Sequence, residues 1–172
     1  FSHLLTHAEL CRCIASEAYD PSTLKLVHRG VEIPQERYLK AGPQGRAQLE
    51  RPMFEALFKG GSACVAPNIH RYHRRLWTVS GLVESLVGAE VNINVYSGGP
   101  TSRGFDLHVD NHDVFVLQVK GSKRWKVGAP TYAAPLVLPE HFGEPPTEML
   151  WAGVLEPGDM LYIPRGYWHR AE

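Results

Sequence analysis

The 172-residue sequence has no excess of charge of either sign, since 18 Lys and Arg stand against 18 Asp and Glu. No chain-wide field therefore favours nucleic acid or an anionic membrane surface. Cysteine is scarce, with three residues in all, which excludes a disulfide framework. Cys11-x-Cys13 and a lone Cys64 are poorly spaced for zinc, so reduced, partly buried thiols are expected. No apolar run approaches the roughly 18 residues of a membrane span, and no signal-peptide pattern opens the chain. These absences point to the cytoplasm. Internal repeats and low-complexity tracts are missing as well. What is there is the composition of a globular domain. At 44% hydrophobic and 21% charged, the chain can bury a core without staples.

The pattern changes along the chain. Thr6-His7-Ala8-Glu9 has capping-box form ahead of Leu10, Cys13 and Ile14, and predicts a short helix. Leu24 to Val27 predicts a strand, and the rest of the first 50 residues reads as irregular chain punctuated at Ala41 to Gly45. Pro52 opens a second helix through Lys59. A third runs from Arg74 to Val87, with Leu76, Val79, Val83, Leu86 and Val87 on one face and Gly88 as its stop. The basic run His70, Arg71, His73, Arg74, Arg75 reads as a solvated face. From residue 90 short apolar segments alternate with Gly, Pro, Ser and Asn, predicting strands at about 91–96, 105–110, 114–119, 123–127, 148–155 and 160–163, with another near Trp168. The expectation is a mainly β fold, a double-stranded β-helix in 90–172, behind a helical flank in 1–89 packed on it as one structural domain.

Three residues stand out chemically. On a strand, His108 and Asp110 share a face while Leu107 and Val109 point the other way. An imidazole and a carboxylate side by side are two ligands of a facial triad, which suits non-haem Fe(II) because open positions remain for a cosubstrate and dioxygen. The third ligand is expected at His169, in Gly158-x5-Pro164-x-Gly166-x2-His169, where two tight turns present the imidazole inward. On its own His-x-Asp is a common chance pattern, and the spaced Gly, Pro, Gly and His make it specific. His112 is read as part of the following turn, and Trp77, Trp125, Trp151 and Trp168 as core or mouth residues.

That second motif resembles the second cupin motif. Together with Asp113-Val114-Phe115-Val116-Leu117-Gln118 and Gly121-Ser122-Lys123-Arg124-Trp125-Lys126-Val127, the chain resembles the JmjC-type ribosomal oxygenases from about Leu82 to His169, and more weakly back to Pro52. The resemblance implies a hydroxylase dependent on Fe(II), 2-oxoglutarate and dioxygen, with a double-stranded β-helix core. It implies His108, Asp110 and His169 as iron ligands, Lys123 as the partner of the distal carboxylate of 2-oxoglutarate, and Asn94 beside the same cosubstrate. A Lys on a barrel strand supplies the point charge that a dicarboxylate needs at its far end. Lys123 and Trp125 share one face of their strand.

The implied substrate is a protein side chain, a histidyl or arginyl residue of a ribosomal protein, with Arg103 and Tyr167 as candidates at the mouth. The balanced charge argues against a nucleic-acid partner, and a homodimer through regions outside this chain is a further expectation. The start at Phe1 and the stop just after the motif suggest a piece of a longer protein, lacking the last barrel strands. Three alternatives stay open: a non-catalytic metal-binding cupin module, a cupin enzyme using a metal without 2-oxoglutarate, and a 2-oxoglutarate oxygenase acting on a small molecule or tRNA base.

Overall fold

Helix α1 (His7–Ile14) begins as its capping box dictates. Thr6 Oγ1 accepts the Glu9 amide, and the Glu9 carboxylate accepts the Thr6 amide at 2.8 Å. The computed structural model describes residues 1–137 and 143–172, which fall into two compact units: Leu4–Arg103, and Gly104–Glu172 together with Phe1–His3. The division lies beyond residue 89, because the chain after α3 still pairs with the first unit.

That unit is a mixed α/β body. After α1, β1 (Lys25–His28) and β2 (Val31–Glu32) are joined by Arg29 and Gly30, both at positive φ, as tight hairpins require. A second hairpin, β3 (Leu39–Ala41) and β4 (Ala47–Leu49), replaces the expected irregular chain. Next come α2 (Arg51–Lys59), β5 (Ala63–Ala66), α3 (Arg74–Val87) and β6 (Val95–Ser97). The sheet has the antiparallel order β2-β1-β5-β6. β5 is buried at every position, so it shows no apolar–polar alternation. The expected strand at 91–96 is paired only from Val95. Its ladder with β5 ends at Ala66 opposite Val95, because Pro67 has no N–H and Asn68 turns left-handed at φ 54°.

The core joins Leu10, Tyr19, Leu24, Leu26, Tyr38, Cys64, Ile69 and Leu76. α3 has the predicted bounds and ends on Gly88 at φ 67°, the left-handed conformation glycine tolerates best. Its expected apolar face is corrected at the C-terminal end: Leu86 is 83% exposed, Val87 is exposed, and Glu84 turns toward the returning chain to accept the Val91 amide at 3.0 Å. Arg71, Arg74 and Arg75 are exposed, as the solvated-face reading expects, but His70 is corrected: it is buried, and its Nδ1 accepts the Ile93 amide at 3.2 Å. No helix among the described residues is long and apolar enough to cross a membrane.

The second unit is built from two antiparallel sheets. One pairs β7 (Val114–Leu117) with β10 (Met160–Ile163), and the other has the order β11-β8-β9, formed by Tyr167–Ala171, Lys123–Pro130 and Met149–Leu155. The expected strand at 105–110 is not continuous. Only His108 joins the ladder, through an antiparallel bridge to His169. The cause lies in Asp106, whose carbonyl accepts from the His108 ring rather than from a neighbouring strand.

Candidate metal centre

The bridge brings two of the expected ligands together. His108 N–H donates to the His169 carbonyl at 3.1 Å and His169 N–H to the His108 carbonyl at 2.8 Å. Directly opposed residues point to the same face, and the rings lie 4.4 Å apart between centroids. Gly166 N–H then donates to the Asp110 carbonyl at 2.9 Å, which fixes Asp110 beside the Pro164–Gly166 turn. Gly166 sits at φ 88°, and a Cβ there would meet the Tyr132 carbonyl at 2.5 Å. Only glycine fits that corner.

Asp110 Oδ2 lies 3.4 Å from His169 Nε2 and 4.0 Å from His108 Nε2. One donor atom from each of His108, Asp110 and His169 falls within 4.8 Å of the others. His108 Nδ1 lies 2.7 Å from the Asp106 carbonyl, and His169 Nδ1 lies 2.9 Å from the Tyr167 carbonyl. A carbonyl only accepts, so each Nδ1 carries the proton and each Nε2 presents a lone pair toward the carboxylate. Burial, together with the neighbouring His169, pushes the His108 pKa down and keeps its ring neutral at pH 7. Burial works against ionising Asp110, but His169 and His108 outweigh it and its pKa lies below the ordinary carboxylate value. Two imidazole lone pairs and one carboxylate thus converge. This donor set fits a divalent transition metal, and Fe(II) among them.

A second carboxylate braces the arrangement. Asp113 accepts from the Tyr162 hydroxyl at 2.7 Å, from Arg165 Nε at 3.0 Å and from the Arg165 amide at 3.4 Å, and pairs with Arg165 Nη2 at 3.0 Å. These bonds tie the chain just after Asp110 to the turn just before His169. The Pro164-Arg165-Gly166 turn was visible in the sequence, but nothing there showed which carboxylate Arg165 would meet.

Lys123, Trp125 and Val127 alternate on β8. Val127 is opposite His169 and Trp125 is opposite Ala171, so all three share the face of His169 and His108. Burial lowers the Lys123 pKa, and no ion pair is formed by its ammonium among the described residues. The Trp125 ring stacks on His169 at 6.4 Å and 27°. Asn94 belongs to the first unit, where it is exposed and its Oδ1 accepts the Asn68 amide at 3.1 Å. Arg103 is exposed and bridges Ser62 through its backbone. Tyr167 acts through its carbonyl on the His169 ring. His112 is 64% exposed, in a turn 3.8 Å from Asp110 Oδ2. Trp77 is 62% exposed, not a core residue. The three cysteines are free, and burial pushes the Cys64 thiol up to about 12, far from a thiolate ligand.

Comparison with known proteins gives the family and the fold. The chain is 31% identical over 159 residues to ribosomal oxygenase 1 of Rattus norvegicus, covering 85% of this chain and 26% of the relative. It is 39% identical over 110 residues to the bifunctional lysine-specific demethylase and histidyl-hydroxylase NO66 of Caenorhabditis elegans, covering 60% of this chain and 15% of that protein. Among solved structures, the ribosomal oxygenase YcfD of Escherichia coli in complex with cobalt and succinic acid superposes with a TM-score of 0.61 at 20% identity. The same protein with cobalt and 2-oxoglutarate gives 0.60 at 21%. Each superposition covers 98% of this chain and 40% of the other. The chain therefore spans well under half the length of these relatives, and it shares with YcfD the ribosomal-oxygenase fold, a JmjC/cupin architecture. Residues 67–172 match the JmjC domain model, and with that match the chain belongs to the JmjC domain family.

Proposed function

We propose that the chain carries the catalytic portion of an Fe(II)- and 2-oxoglutarate-dependent hydroxylase acting on a protein side chain, a histidyl or arginyl residue of a ribosomal protein. The observation that carries this reading is the convergence of His108 Nε2, His169 Nε2 and the Asp110 carboxylate, with the imidazole protons turned away toward backbone carbonyls. The names of the relatives, ribosomal oxygenase and histidyl-hydroxylase, support the reaction type and the substrate class.

His108, Asp110 and His169 would hold the iron. Such an ion together with 2-oxoglutarate would supply the oxidising chemistry for hydroxylating an unreactive C–H bond, with succinate and carbon dioxide as co-products. With only three protein donors, such an ion would keep coordination capacity for an oxo acid and dioxygen. The chain's own part is geometric and electrostatic. The backbone bonds between His108 and His169 fix the spacing of the imidazoles, and the Asp106 and Tyr167 carbonyls fix their tautomers. The half-buried Lys123 ammonium pairs with the far carboxylate of 2-oxoglutarate, where partial desolvation strengthens the attraction.

The test is mass spectrometry of ribosomal-protein peptides incubated with the protein, Fe(II), 2-oxoglutarate and ascorbate. The expected product gains one oxygen on His or Arg, and the gain disappears in His108→Ala. Turnover that persists in His108→Ala and Asp110→Ala, or oxidation that proceeds without 2-oxoglutarate, would overturn the reading. Lys123→Glu separates the cosubstrate assignment: 2-oxoglutarate affinity falls at least tenfold while metal affinity holds, and an unchanged affinity removes Lys123 from the site.

A further inference from the structure

One polar atom on the triad's face of the sheet is used by nothing described so far. Trp125 Nε1 is buried and has no hydrogen-bond partner among the described residues. Buried indole N–H groups almost always find an acceptor. Trp168 does so, donating to Thr131 Oγ1 at 2.8 Å. Trp125 is the exception, and it stands beside the metal ligands: opposite Ala171, one step along the same face from the His169–Val127 pair, with its ring on the His169 ring. Lys123 is its neighbour on that face. A cationic donor and a neutral donor two residues apart, beside three metal-ligating groups, match a ligand that brings acceptor oxygens to the metal and an anionic group beyond it. A carboxylate oxygen is the acceptor that best offsets a desolvated N–H.

We propose that Trp125 contacts the ligand at this centre. Its indole N–H donates to a carboxylate oxygen of the oxo acid, and its ring face supports the His169 imidazole. The first role adds affinity for a carboxylate-bearing ligand beyond what a metal and a lysine provide. The inference rests on the oxygenase reading, and the experiment keeps the two apart.

The wild-type chain, labelled with 15N and loaded with diamagnetic Zn(II), is titrated with 2-oxoglutarate while the indole N–H resonances are followed by NMR. Four tryptophans give a spectrum that can be assigned directly, the Trp125 signal through its own ring protons. The expected result is a downfield shift and slower solvent exchange of the Trp125 signal on adding 2-oxoglutarate. In parallel, Trp125→Phe keeps a ring against His169 and loses only the donor. It is expected to bind Co(II) within twofold of wild type and 2-oxoglutarate at least tenfold more weakly, as the loss of a hydrogen bond to a charged acceptor requires. An unmoved Trp125 signal in protein that binds 2-oxoglutarate overturns the proposal, as does a Trp125→Phe variant that binds it as tightly. Metal-loaded wild-type protein that binds no 2-oxoglutarate overturns the oxygenase reading itself. If Trp125→Phe fails to fold, the wild-type resonance decides alone.

Discussion

The two units are built on different principles. In Leu4–Arg103 the largest fully buried side chains, Tyr19, Tyr38, Leu24, Leu26 and Ile69, belong to one contiguous cluster. Among the described residues of Gly104–Glu172 the only large side chain buried to that degree is Ile163. The second unit places on a sheet face a lysine, two histidines and a tryptophan with an unpartnered N–H. Burying apolar area stabilises a fold and commits that surface, whereas convergent polar groups cost stability and are held only by directional bonds. The first unit is organised by packing, and the second by backbone and charge-assisted hydrogen bonds around a donor set. Substitutions in one should therefore leave the signature of the other unchanged.

The sharpest way to break that contrast is to remove a ligand. His169→Ala is expected to lower Co(II) affinity by more than 100-fold, read from visible absorption during titration, with a smaller loss of unfolding stability than a core truncation causes. Tyr38→Ala should do the reverse. Its ring is fully buried and its hydroxyl donates to the Leu24 carbonyl at 3.0 Å, so unfolding in denaturant should lose about 3–5 kcal/mol. Co(II) affinity should hold. Asp113→Asn sits between them. The ion pair with Arg165 is a third exposed, so its effect on stability should stay below about 1 kcal/mol. Because it braces the segments bearing Asp110 and His169, Co(II) affinity should still fall by about tenfold. Equal affinity would show that the backbone bonds suffice.

The smallest effects belong to the first helix. Thr6→Ala removes the hydroxyl that accepts the Glu9 amide and donates to the Glu9 carboxylate, leaving only the backbone side of the capping box, and should cost about 1 kcal/mol, seen as a shift in the unfolding midpoint. Glu9, held to about 2 by its hydrogen bonds with Thr6 and by Arg75 and His73, has an ordinary value of 4.5. A carboxyl whose pKa is depressed on folding adds stability above its unfolded value, and loses that stability as pH falls toward the folded one. Wild-type protein should thus lose stability between pH 4.5 and 2 more steeply than Glu9→Gln does.

Much of this was legible in the sequence wherever local chemistry decides structure. The capping box starts α1, Gly88 ends α3, and the Gly158–His169 spacing delivers His169 to its partner strand. The convergence of His108, Asp110 and His169 was readable because two of them are near neighbours in sequence and the third is announced by its turns. Non-local decisions were not. β5 is fully buried and so has no alternation to detect, and the three-residue strands of the 39–49 hairpin carry too little pattern. Residues 105–110 alternate like a strand, yet Asp106 gives its carbonyl to the His108 ring. Which carboxylate Arg165 meets, and that Trp125 Nε1 meets none among the described residues, depends on strand register, which composition does not encode.

Hydroxylation at this centre requires His108, Asp110 and His169 to hold a metal that chelates an oxo acid. Anaerobic visible absorption tests this directly, as Fe(II) and then 2-oxoglutarate are added to the purified chain. A charge-transfer band that needs both additions, and is absent in His108→Ala, is the predicted result. Protein that demonstrably binds iron yet gives no such band would contradict it.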